Sequence, residues 1–159
     1  MKTVKIILTS ILIISIGCSY EQDQTTNESQ EVIFDAALAE ELGADEYGMK
    51  RYVMAFLKAG PNRDQDEETA AELQRAHMDN IQRLAESGVL VLAGPFLDSG
   101  EIRGIYVFDV VSIEEARELT STDPAVQAGR LEMELHPWYG SAALMNVNEI
   151  HSRISRTNP

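Results

Sequence analysis

One cysteine in 159 residues excludes an intrachain disulfide. With no second cysteine, and with histidines at 77, 136 and 151 that show no ligand spacing, a structural zinc site is not expected either. Basic residues are scarce, 13 Lys and Arg against 26 Asp and Glu, for a formal net charge of −13. A chain of that sign repels nucleic acid phosphates and anionic lipid, so no nucleic acid partner is expected. Long apolar runs are missing too. The longest, Ile6 to Ile16, is interrupted by Thr9, Ser10 and Ser15 and falls short of the ~20 residues a membrane span needs. There are no heptads and no internal repeats. Gly94-Pro95 lacks the glycine spacing of a phosphate loop, Ser141 lacks the context of a nucleophile elbow, and no cofactor is expected.

What the amino terminus does contain is an address. Lys2 and Lys5 precede the apolar run, and Ser15-Ile16-Gly17-Cys18 resembles a bacterial lipobox, with Ser15 where Leu is usual. Residues 1–18 therefore read as a lipoprotein signal peptide and Cys18 as the lipid acceptor. Residues 19–31 are Gln, Thr, Asn, Ser and acid with a single aromatic, Tyr20. They carry too little apolar surface to offset the entropy of ordering and read as a flexible tether. Ser19, rather than Asp, follows the cysteine, so the expected location is the cell envelope, outer membrane in preference to inner.

Residues 32–159 form one domain on size. Phe34 to Leu42, stopped by Gly43, reads as a short helix or turn leading in. Lys50 to Lys58 is a strand apolar on both faces, which requires cover on both sides. Thr69 to Ser87 is a long helix ended by Gly88. Val89 to Ala93 and Ile105 to Val110 form a hairpin around the Asp98-Ser99-Gly100 turn. Ser112 and Glu115 are spaced as a capping box before a second helix. Asp123-Pro124 opens a further helical turn, closed by Gly129. Leu131 to His136 alternates cleanly, with Leu131, Met133 and Leu135 facing inward. The order βαββαβ with right-handed crossovers predicts an α+β, ferredoxin-like fold: a four-stranded antiparallel sheet with both helices on one face. The open face calls for a second copy of the chain, packed sheet to sheet, or for the apolar segment Gly140 to Ile150.

His77 shares a helical stripe with Leu73, Ile81 and Leu84 and so points at the sheet. An imidazole there is either a general base or a buried histidine satisfied by one hydrogen bond. Asp123 before Pro124 has the form of a helix N-cap. Both of its roles coexist if the second carboxylate oxygen faces His77. Gly94 and Pro95 are expected to bend and line a cleft, and Tyr52, with Arg51 and Met54, to shape it; core packing explains Tyr52 and Met54 equally well. Asp98 is a turn residue and His136 lies on the outward face of the last strand.

The helix-borne His77, Leu92-Ala93-Gly94-Pro95, the Asp98 turn, Asp123-Pro124 with Val126 and Ala128-Gly129, and Pro137-Trp138 together resemble the YCII-related domain family. The resemblance covers roughly Arg51 to Trp138. It implies a dimeric ferredoxin-like fold of the dimeric α/β barrel type and a histidine–aspartate dyad, here His77 and Asp123. At least one related enzyme type uses such a dyad to eliminate chloride from a hydroxylated aromatic ring. The expected function is proton-transfer or elimination chemistry on a small molecule of unknown identity. The alternatives are a non-catalytic ligand-binding module and a structural dimerisation module.

Overall fold

Local signals place four strands and the helices between them, in a computed structural model that describes residues 33–157. The expectations for the signal peptide, Cys18 and the tether fall outside the described residues. A short helix α1 (Ala36–Glu41), capped by Asp35, leads into strand β1 (Met49–Ala59). Helix α2 (Glu67–Glu86) starts where the Asp66 carboxylate accepts the Thr69 amide at 2.8 Å. Glu67 and Glu68 in its first turn and Arg83 in its last complement the helix dipole. It stops at Gly88, which takes φ +79°, a left-handed conformation that a side chain would strain.

Strands β2 (Leu90–Pro95) and β3 (Ile102–Phe108) form the hairpin. Helix α3 (Ile113–Thr120) begins with the capping box of Ser112 and Glu115, and α4 (Pro124–Gln127) with Asp123. Strand β4 (Leu131–Ser141) passes through a 3-10 turn (Ala142–Asn146) into α5 (Val147–Ile154). The sheet order is β2-β3-β1-β4 with every pairing antiparallel. This is the ferredoxin-like α+β arrangement that the element order predicts.

Strand bounds differ from the expected ones at several ends; β3, for one, starts at Ile102 and not at Ile105. β3 ends at Phe108, after which the Asp109 amide donates to the Val89 carbonyl at 2.9 Å and its carboxylate pairs with Lys50 at 2.9 Å. β2 runs on through Gly94-Pro95, which remain paired with β3 instead of bending away. β4 continues five residues past His136, through Pro137, along the whole of β1. Proline is tolerated there because β4 is an edge strand and one of its sides has no ladder to complete.

Strand parity divides the interior in two. Val53, Ala55, Leu57, Tyr106 and Phe108 face the helices and pack with Leu84, Leu90 and Ala116. Leu84 and Leu90 are both almost fully withdrawn from water, a gain of roughly 1.5–3 kcal/mol for each. Leu131, Met133 and Leu135 join this layer from β4, as their alternation predicts. On the other face Tyr52, Val91 and Val107 form a second cluster, closed by Trp138 and by Leu144 and Met145 of the C-terminal segment. Asn148 of α5 secures that segment by donating to the Leu90 carbonyl at 2.8 Å. The chain therefore supplies cover for part of its own far face.

Candidate active site

Asp123 is completely buried and both of its carboxylate oxygens are engaged. Oδ1 accepts the Ala125 amide at 2.8 Å and caps α4. Oδ2 lies 2.6 Å from His77 Nδ1, within charge-assisted hydrogen-bond range. The cap and the dyad thus coexist in one residue. His77 arrives from α2 on the buried stripe it shares with Asn80 and Leu84 and is only 8% exposed.

A second tie fixes the spacing of the two. Asn80 Oδ1 accepts from Arg83 at 2.7 Å and sits 3.0 Å from the Thr122 hydroxyl, which itself accepts from Arg83 at 2.9 Å. Thr122 precedes Asp123 in the chain. One turn of α2 is thereby fastened to the residue before the carboxylate.

Hydrogen-bond roles follow from this geometry. Nδ1–H donates to the carboxylate, which leaves the lone pair of a neutral ring on Nε2. Nε2 lies 3.4 Å from the Tyr106 hydroxyl, a long contact, and the two rings stack at 6.4 Å. Burial, reinforced by the negative charge of Asp123, pushes the Tyr106 phenol far above its ordinary range. It is a neutral donor at every physiological pH.

Beside the pair opens a cavity of about 500 Å³. It sits between α2 and the end of the sheet where β1 and β2 finish and β3 and β4 begin. Gln74, Met78 and Ile81 form the helix side, and Leu57, Pro95 and Leu131 much of the sheet side. A volume of this size suits a small organic molecule. His77 and Tyr106 both border it, as do Gly94 and Pro95. Arg63, Arg103 and Arg130 complete the wall, and among the described residues no carboxylate does.

Not every expected residue comes here. Tyr52 is a correction: strand parity turns it to the far face, where it packs against Trp138 and donates to the Ser141 carbonyl at 3.1 Å. Met54 and Arg51 are likewise absent from the cavity wall. Asp98 accepts the Gly100 amide within its own turn. His136 lies on the outer face, edge-on to Phe56 and bonded to Glu134 at 2.8 Å. Among the described residues no cluster of three or more His, Cys, Asp or Glu could hold a metal.

Tyr106 and the three arginines escape the sequence reading. For Tyr106 a signal existed: its alternation with Phe108 puts a phenol on the helix-facing side, where its polar tip needs a partner. The arginines lie on three separate segments and carry no local signal.

The model of the YCII-related domain matches residues 53–139, a span that holds His77, Tyr106 and Asp123. This chain belongs to the YCII-related domain family. The chain is similar to the uncharacterized protein YjpA of Bacillus subtilis (strain 168), with 36% identity over 62 residues, 39% of this chain and 71% of that protein. Among solved structures it is similar to 5-chloro-2-hydroxyhydroquinone dehydrochlorinase (TftG) of Burkholderia phenoliruptrix AC1100, in complex with 2,5-dihydroxybenzoquinone. That match has a TM-score of 0.42 and 16% identity, over 56% of this chain and 93% of the other.

Proposed function

We propose that this YCII-related domain binds a small organic molecule in the cavity and moves a proton on it, with elimination as one outcome. The observation that carries the reading is the buried 2.6 Å contact between His77 Nδ1 and Asp123 Oδ2 at the edge of a 500 Å³ cavity. His77 Nε2 removes a proton from an acidic position of the ligand. Asp123 holds the tautomer and stabilises the imidazolium that forms. Tyr106, kept neutral by burial, donates to the oxygen on which negative charge grows.

The test is proton exchange. A panel of small carbonyl compounds with acidic C–H bonds is incubated with the protein in D2O and followed by proton NMR. Exchange is expected to fall by about 10²–10⁴-fold in His77→Asn, the range a general base contributes, while binding shifts persist. Exchange that survives His77→Asn removes the histidine from the chemistry. Binding with no exchange on any compound makes the cavity a binding module.

We also propose that Cys18 carries the lipid that holds the protein on the envelope, outer membrane before inner. The support is the apolar run before a lone cysteine. Metabolic labelling with palmitate that Cys18→Ala fails to abolish would rule this out. Homodimerisation belongs to the same proposal. Half-buried Phe56 and exposed His136 lie outside the cluster that the C-terminal segment closes and would face a second copy.

A further inference from the structure

The cavity wall has the opposite charge to the chain. Acidic residues outnumber basic ones 26 to 13, yet among the described residues three arginines and no carboxylate line this cavity. Arg63 comes from the loop between β1 and α2, Arg103 from β3, and Arg130 from the turn before β4. Among the described residues none of the three is in an ion pair, although the lysines 50 and 58 both are. The bonds that orient two of them go to neutral acceptors. Arg63 Nη1 donates to the Arg130 carbonyl at 3.1 Å, and Arg130 Nη1 to Gln65 Oε1 at 2.9 Å. Gln65 is itself fixed by donating to the Asn62 carbonyl at 3.0 Å. Neutral acceptors position a guanidinium without neutralising it, and each fork keeps further N–H donors.

We infer that the ligand of this cavity is a small organic carboxylate: an apolar body against Leu57, Met78 and Ile81, and an anionic end at Arg63 and Arg130. This rests on the reading of the cavity as a small-molecule site and adds the substrate class. Two planar forks match a carboxylate geometrically, and partial burial of Arg130 strengthens its bond to an anion. The arrangement serves chemistry as well as binding. A cationic rim favours the negative charge that develops when His77 takes a proton.

The full-length protein is titrated with benzoate, benzamide and phenyl phosphate, and the amides of Ala93, Gly94 and Ala125 are followed by NMR. Benzoate is expected to bind about tenfold or more tightly than benzamide, the factor a charge-assisted bond supplies, with an advantage that shrinks as salt rises. The double variant Arg63→Gln with Arg130→Gln loses that preference. Arg130→Lys, which keeps the charge and loses the fork, retains part of it. Benzamide binding as well as benzoate overturns the inference on the unmodified protein alone. So does a carboxylate that shifts none of these amides, or a preference that survives the double variant. Phenyl phosphate taking the site about tenfold more tightly than benzoate overturns the carboxylate assignment in favour of a phosphate monoester. The outcome is separable from catalysis. A benzoate preference intact in His77→Asn, with no exchange on any compound, leaves the anion site standing without the chemistry. Proton exchange with no anion preference does the reverse.

Discussion

Tyr52 and Tyr106 occupy neighbouring strands of one sheet, are 1% and 2% exposed, and face opposite sides of it. Tyr52 lies under Trp138 and spends its hydroxyl on the Ser141 carbonyl. Tyr106 presents its hydroxyl to the free nitrogen of His77 at the wall of a cavity. Burial alone does not separate them. The difference is the partner of the polar tip: a backbone carbonyl is a fixed sink, whereas an imidazole beside open volume can change its protonation. The far face closes on itself through the C-terminal segment, and the helix face keeps a gap.

The comparison is broken most directly by removing each hydroxyl in turn. Tyr106→Phe is expected to lower proton-exchange turnover by about 10²-fold, the low end for loss of one donor to a developing oxyanion. Tyr52→Phe should leave turnover unchanged. Equal losses in the two variants, measured as kcat at saturating compound, would mean that the faces are not functionally distinct.

Second in size is a change confined to the far face. A Cβ at Gly140 would lie 2.2 Å from the Trp138 ring, because residues 138 and 140 share a face of β4 and the indole lies along the strand. Gly140→Ala must therefore displace the ring that covers Tyr52. The expected cost is about 1–3 kcal/mol of unfolding free energy, typical of overpacking, with benzoate affinity unchanged. Chemical denaturation gives the first quantity and the NMR titration the second. A change in affinity would show that the two faces are coupled through the sheet.

Much of this layout was legible from residue order, and the reasons are local. Gly88 and the Ser112–Glu115 box end and begin helices by backbone chemistry that acts within a few residues. The spacing of His77 and Leu84 on one helical stripe is enough to place the imidazole toward the sheet. Asp123 was legible twice, as a cap from its neighbour Pro124 and as a histidine partner through the family resemblance. The side on which Tyr52 lies is not legible, because the first strand is apolar on both faces and alternation does not say which of them meets the helices. Residue order does not choose between a second copy and the chain's own C-terminal segment as the far-face cover, because an apolar stretch does not name its partner. Arg63, Arg103 and Arg130 were invisible for a different reason. They meet only when three separate segments reach the same end of the sheet, and no spacing within the chain encodes that.

The last and smallest effect concerns alkaline stability, which also sharpens the contrast. Burial, and then the charge of Asp123, raise the Tyr106 phenol well above the ~10 of an unfolded tyrosine. Below pH ~10 the hydroxyl is neutral in both states and its contribution to folding is fully present. As pH rises beyond that value, only the unfolded chain releases this proton, so the unfolded state gains and stability is lost until the folded phenol itself ionises. The limiting slope is about 1.4 kcal/mol per pH unit for one such group. Burial and Asp109 push Tyr52 in the same direction, so the unmodified protein carries contributions from both faces. Urea denaturation between pH 9 and pH 11 in Tyr106→Phe should show a shallower alkaline loss than the unmodified protein. An unchanged slope would mean that the Tyr106 phenolate is tolerated in the fold. The hydroxyl beside His77 would then be reachable by solvent protons, and its role as a permanently neutral donor would fail.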